Sequence, residues 1–131
     1  MRFQAYLRVL SDEATIRTLY NETNVPGAVI KRLKAPKEGT DETWWNWETV
    51  HVDIDQSDVD RGVRALLEQY QPLFADIKQY RGPEADTYLE LITFYNEHEN
   101  PTGFCLSVES ISLLNELGAA FDNDSVPEVT L

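Results

Sequence analysis

The chain has 131 residues, the length of a single domain, and 42% of them are hydrophobic, which excludes the intrinsically disordered class of proteins. It carries 23 Asp and Glu against 11 Lys and Arg, a formal net charge of -12. Because cationic contacts to phosphates drive nucleic-acid binding, this charge argues against DNA or RNA as a partner and favours a basic protein.

The first half of the chain predicts a helix between two strands, followed by a third strand. Apolar and polar residues alternate at the N-terminus, which is typical of a strand with one buried face. Ser11 precedes two acids and an apolar stripe of helical spacing, and Pro26 with Gly27 breaks the chain after that helix. The predicted elements are a strand at residues 3–9, a helix ending at residues 21–24, and strands at residues 28–34 and 44–54.

The strand predicted at residues 44–54 changes its apolar face along its length. Trp45 and Trp47 are in phase with each other, whereas Val50, Val52 and Ile54 are in the opposite phase. Such a switch requires a β-bulge or a strand that is covered on both faces.

The second half of the chain predicts a long helix, a buried strand and a closing helix. Ser57 and Asp58 open an amphipathic helix that Pro72 should kink before it continues to Tyr80. A strand that is apolar on both faces follows at residues 87–96, which favours a position in the middle of the sheet. The remaining predicted elements are a helix that Ser107 caps and Gly118 ends, and a short strand at residues 119–121.

The order of these elements predicts an α+β fold with a mainly antiparallel sheet and helices on one face. The first six elements follow the β-α-β-β-α-β order of ferredoxin-like folds, and a C-terminal helix is added. With no internal repeat or linker, residues 1–131 are predicted to form one domain. We expect residues 122–131 to be a frayed tail.

Several segments together resemble domain of unknown function family 4279. The likeness lies in the Trp-containing strand and long helix at residues 44–80, the break at residues 72–74, the strand at residues 89–95, and the closing run at residues 103–119. These are structural markers without a catalytic signature. The resemblance implies a bacterial, cytosolic protein and assigns no functional residues.

Targeting and redox features also favour the cytoplasm. Gln4 and Arg8 interrupt the apolar core that a signal peptide requires, and no stretch approaches the roughly 20 apolar residues of a membrane-spanning helix. Cys105 is the single cysteine, so no internal disulfide can form. The sequence therefore predicts a cytoplasmic protein without a membrane partner.

No pattern predicts a catalytic, cofactor or metal site. Cys105 lies in an apolar run, which is typical of a buried and inert thiol. Neither His51 nor His98 has a second ligand at the spacing of a zinc motif. The acidic run at residues 53–60 lacks the glycine and the bidentate acid of a calcium loop, and we interpret Asp58 and Asp60 as the acidic start of a helix. Glycine-rich phosphate loops and nucleotide fingerprints are absent from the sequence.

One predicted hairpin combines basic and aromatic residues and is the candidate binding surface. Its members are Lys31, Arg32, Trp44, Trp45 and Trp47. Arginine and tryptophan often dominate the energetics of protein interfaces. The alternative interpretation is that two of the tryptophans belong to the core, since aromatic residues in strands usually pack inward.

The charge distribution gives the preferred hypothesis for function. After Arg81 the chain contains ten Asp or Glu and no Lys or Arg. This distribution favours a non-enzymatic, acidic protein-binding module, such as an immunity protein that neutralises a toxin or a small adaptor. The alternative is a ligand-binding protein or a carboxylate-dependent enzyme with a pocket between the sheet and the helices. A homo-oligomer in which the Trp hairpin forms the contact is a third hypothesis.

Overall fold

The computed structural model describes residues 1–36, 43–83, 85–100 and 104–128, and these ranges form an α+β fold. The strands are β1 (Arg2–Ser11), β2 (Val29–Pro36), β3 (Thr43–Glu48), β4 (Val52–Ile54), β5 (Asp86–Tyr95) and β6 (Ala120–Pro127). The helices are α1 (Glu13–Thr23), α2 (Val59–Tyr70), α3 (Phe74–Arg81) and α4 (Val108–Leu117).

One six-stranded, mostly antiparallel sheet organises the described residues. Its strand order is β2-β3-β1-β5-β6, and β4 pairs with β1 beside β3. The central strand β1 is antiparallel to β3, β4 and β5, whereas β6 is parallel to β5. The predicted α+β class and the mainly antiparallel sheet are therefore confirmed, as is the position of the strand near residues 87–96 inside the sheet.

The hydrophobic core lies between the helices and one face of the sheet. On β1 this face carries Phe3, Ala5, Leu7 and Val9, which are each at most 4% exposed. The helices contribute apolar residues at helical spacing to the same cluster, because each has one apolar stripe. These core residues are Ile16 and Leu19 of α1, Val63 and Leu67 of α2, Ile77 of α3, and Leu114 and Leu117 of α4.

The face switch predicted for residues 44–54 occurs at the break between β3 and β4. Both strands pair with β1, and Thr49 lies in the gap between them. The Thr49 amide donates a hydrogen bond to the Leu7 carbonyl at 3.0 Å, while the Thr49 hydroxyl accepts one from the Leu7 amide at 2.9 Å. The side chain thus replaces a backbone acceptor where the ladder is interrupted.

Substitutions of Thr49 test whether its hydroxyl stabilises the break between β3 and β4. We expect Thr49→Val to lower the free energy of unfolding by about 1–3 kcal/mol, because the buried Leu7 amide would lose its acceptor. Thr49→Ser keeps the hydroxyl and should cost clearly less. Urea denaturation of both variants measures the difference, and equal losses would show that the hydroxyl does not stabilise the break.

The acidic residues near the start of α2 have structural roles. Asp58 caps the helix by accepting a hydrogen bond from the Arg61 amide. Asp60 Oδ1 accepts hydrogen bonds from the Ser107 amide and the Ser110 hydroxyl, both at 2.8 Å, and so connects α2 to the first turn of α4. These hydrogen bonds, led by that of the Ser107 amide, lower the pKa of Asp60. The interpretation of Asp58 and Asp60 as the acidic start of a helix is confirmed, whereas Asp53 lies in β4.

Two sequence-based expectations about the C-terminal part were wrong. Residues 122–127 are not a frayed tail but belong to β6, which pairs with β5 over eight residue pairs. Gly118 adopts a left-handed conformation with a φ of 72°, which lets the backbone leave α4 and turn toward β6. Cys105 is exposed, although its neighbours Phe104 and Leu106 in the loop before α4 pack against the core. Residues 129–131 lie outside the described ranges.

The structure also bears on membrane insertion. Within the ranges that it describes, no helix has both the length and the apolar character needed to cross a bilayer.

Candidate functional site

The sheet face opposite the helices, called the open face below, carries a concentration of polar side chains. Alternation along β1 places Gln4, Tyr6 and Arg8 on this face. By register, Glu48 of β3 and Glu90 of β5 flank the central strand on the same face. Such polar residues are expected where no helix removes the sheet from water.

Hydrogen bonds join these groups into a network that spans four strands. Lys31 Nζ of β2 donates to Glu48 Oε1 at 3.2 Å, and Asn46 Nδ2 donates to Glu48 Oε2 at 2.7 Å. Arg8 Nε donates to Asn46 Oδ1 at 3.1 Å, and Arg8 Nη1 donates to Glu90 Oε1 at 2.9 Å. Since buried carboxylates need such partners, this network explains how two glutamates remain buried in the sheet.

An aromatic pair lies beside this hydrogen-bond network. The rings of Tyr6 and His51 are stacked with centroids 3.8 Å apart and planes inclined by 10°. Burial, followed by the negative charges of Glu48 and Glu90, raises the pKa of Tyr6 to about 12. The phenol therefore stays protonated at neutral pH.

The acidic cluster, defined as Glu90, Asp122 and Asp124, lies at the β5–β6 end of the open face. One carboxylate oxygen from each residue lies within 4.8 Å of the others. Glu90 is only 1% exposed, Asp122 is half-buried and Asp124 is exposed. Among the described residues, Glu90 Oε2 is buried without a hydrogen-bond partner. The cluster therefore holds a buried oxygen whose bonding capacity is unused.

The two buried glutamates of the open face differ in proton affinity because their neighbours differ. Burial opposes ionisation of Glu48, but hydrogen bonds from Lys31 and Asn46 outweigh it and lower the pKa of this carboxyl. Burial and the adjacent Asp122 raise the pKa of Glu90 to about 7, although Arg8 acts in the opposite direction. Glu90 thus exchanges a proton near neutral pH, which a carboxyl in water does not.

The predicted binding residues do not form one continuous surface. Lys31 lies on the open face, and alternation places Trp44 on the same face. Arg32 and Trp45 point to the helix side, where they line a cleft of about 410 Å³ beside the start of α1. Trp47 is 0% exposed and belongs to the core, so its ring cannot contact a partner. The alternative interpretation of a core tryptophan therefore applies to Trp47.

A second cleft, of about 330 Å³, lies between the start of β1 and the start of α2. Phe3, Asp58 and Cys105 are among its lining residues. The acidic cluster lines neither of these two clefts. The raised pKa of Glu90 therefore arises at a sheet face and not in either described cleft.

Sequence reasoning missed the acidic cluster. Asp122 and Asp124 show the alternation of a strand, but they fall in a segment that was interpreted as a tail. Glu90 interrupts a strand with two apolar faces, which is the one signal that could have marked it as a buried acid. Only the parallel register of β5 and β6, which sets Glu90 beside Asp122, brings the three together.

Comparison with known proteins identifies a family. The family model described as Domain of unknown function (DUF4279) matches residues 1–126. This match confirms the resemblance seen in the sequence and extends it over the N-terminal third of the chain. No curated protein and no solved structure matches the chain.

Proposed function

The chain belongs to the DUF4279 family, and we propose that it is a non-enzymatic module that binds a basic, extended segment of a partner protein along β6. The observation that carries this proposal is the acidic edge strand. Among the described residues β6 pairs with β5 alone, and most residues of β6 are exposed. An edge strand presents backbone donors and acceptors to which an extended peptide can add as a further strand.

The charges of β6 support a basic occupant. The ion pairs of the described residues leave Asp122 and Asp124 without a Lys or Arg partner. A second copy of β6 would bring these acids against the same acids, and like charges that face each other destabilise strand pairing. Lys or Arg at alternate positions of a partner strand would instead complement them. The edge therefore favours a basic protein over self-association.

The proposed role accommodates an immunity protein or a small adaptor in the cytoplasm. An exposed, unpaired thiol at Cys105 is suited to a reducing compartment. For the fold we infer a ferredoxin-like core, supported by the order β2-β3-β1-β5 and by the antiparallel pairing of these strands. In such a core β6 is an addition to the edge, where it is accessible to a partner.

Peptide titration tests the proposed function. We expect an extended peptide with Lys at alternate positions to shift the backbone amide NMR signals of β6, and a matched peptide with Glu at those positions to have no effect. Asp122→Asn combined with Asp124→Asn should weaken binding about three- to tenfold, the effect of losing two exposed ion pairs. The affinity should fall as salt is added.

The matched control removes the same charge from the helices. Glu22→Gln combined with Glu68→Gln changes two exposed acids of α1 and α2. This variant should bind the basic peptide almost as tightly as the wild type. Equal binding of both peptides, or equal weakening by both double variants, would contradict recognition by β6.

A small enzyme or ligand-binding protein is the second candidate, and Glu90 is the observation that favours it. A buried carboxyl with a pKa of about 7 beside a second acid can transfer protons at neutral pH. A screen of small molecules by thermal shift tests this candidate. A compound that raises the Tm of the wild type but not that of Glu90→Gln would support it, whereas a compound with the same effect on both proteins would not.

A further inference from the structure

We propose that Glu90, Asp122 and Asp124 form a binding site for a hard divalent cation of the Ca²⁺, Mg²⁺ and Mn²⁺ class. The donors are carboxylate oxygens only, and oxygen ligands are those that hard cations prefer. No local sequence motif reveals this site, because its ligands come from two strands that are about thirty residues apart in the chain.

The backbone fixes the relative positions of the three ligands. In the parallel ladder Glu90 is the register partner of Asp122, so their side chains extend from adjacent strands on the same face. Asp124 is two residues further along β6 and therefore returns to that face. The resulting oxygens lie within 4.8 Å of one another, a spacing that one ion can bridge. The ligands thus lie on paired strands and not on a loop that would need ordering.

A buried oxygen without a partner is the independent observation that points to a ligand. The Glu90 side chain is 2% exposed. Its Oε1 accepts a hydrogen bond from Arg8, whereas Oε2 is buried and accepts none among the described residues. The neighbouring Asp122 carboxyl can form a hydrogen bond with Glu90 only when the two acids share a proton, so it offers no donor when both are ionised. A buried acceptor without a partner is unfavourable, more so when it is charged. A cation in the cluster would satisfy it, whereas Arg8 occupies the other oxygen and would remain in place.

The charge balance also favours a cation. When all three acids are ionised, they carry three negative charges, and Arg8 is the one cation that forms an ion pair with them in the described structure. Asp122 is half-buried and Asp124 is exposed, so one side of the site is open to water. Mg²⁺ and Ca²⁺ usually retain water ligands in such partly open sites. We therefore expect a weak site with a Kd of about 10⁻⁴ to 10⁻³ M.

Titration of the full chain with Mn²⁺, without any peptide, tests the site. We expect saturable paramagnetic broadening of NMR signals centred on Glu90, Asp122 and Asp124, with Ca²⁺ or Mg²⁺ competing. Asp122→Asn combined with Asp124→Asn changes accessible side chains and should weaken binding at least about tenfold, since charge count sets the affinity of such sites. Glu90→Gln should have a similar effect.

Glu68→Gln is the matched control, because it removes one exposed acid from α2 and should leave the Mn²⁺ affinity unchanged. Broadening that is not saturable, that spreads over other acids, or that survives the substitutions in the cluster would overturn the proposal. The cation experiment does not depend on the proposed peptide binding. If the basic peptide fails to bind while Mn²⁺ binds at the cluster, the proposed function fails and the cation site stands. If the peptide binds while Mn²⁺ does not, the cation site fails and the proposed function stands.

Discussion

Trp47→Ala should lower the free energy of unfolding by about 3–5 kcal/mol, the cost of removing a large aromatic side chain from a core. Trp47 is 0% exposed and lies on the helix side of β3, between its register partners Val9 and Ile30. Truncation would leave a cavity between the sheet and the helices. Urea denaturation followed by circular dichroism measures the loss.

Trp44→Ala is the control from the same strand. Its side chain is half-buried and lies on the opposite face by alternation. We expect this substitution to cost less than about 1.5 kcal/mol, because it leaves no enclosed cavity. If both variants lost equal and small amounts of stability, Trp47 would not be a core residue. The whole aromatic set of the predicted hairpin would then be available to a partner.

The sequence predicts those elements whose local spacing of apolar residues matches the face that they bury in the fold. The amphipathic stripe of α2 predicted its buried face, and Gly118 ended α4 as expected. The phase change between Trp47 and Val52 predicted the break that Thr49 now occupies. In each case the side-chain spacing itself encodes the structure, because burial on one face imposes a period of two or 3.6 residues.

The remaining features depend on pairings between distant segments. β6 has an alternation of acids instead of apolar residues, so its sequence resembles a solvated tail even though its backbone pairs with β5. Cys105 was predicted to be buried from its apolar neighbours, yet the chain there runs as a loop into α4. The acidic cluster follows from the β5–β6 register, which no local pattern specifies.

Glu90 should make the protein less stable as the pH rises through the range from about 4.5 to 7. Its pKa is raised from the ordinary value of 4.5 to about 7, first by burial and then by Asp122. Because the folded state binds this proton more tightly than the unfolded state, the stabilisation is complete below pH 4.5 and is lost as the pH approaches 7. The loss amounts to about 3 kcal/mol for a shift of this size.

Glu90→Gln replaces the titrating group with one that stays neutral. We expect the stability of this variant relative to the wild type to increase by about 3 kcal/mol between pH 4 and pH 8, as measured by urea denaturation at each pH in the absence of divalent cations. Glu48→Gln is the matched comparison, and it should show the opposite sign, since Lys31 and Asn46 lower the pKa of Glu48 and its ionised form stabilises the fold. A difference between wild type and Glu90→Gln that does not vary with pH would mean that Glu90 titrates normally. In that case Arg8 would balance burial and Asp122, and Glu90 would be ionised throughout the neutral range.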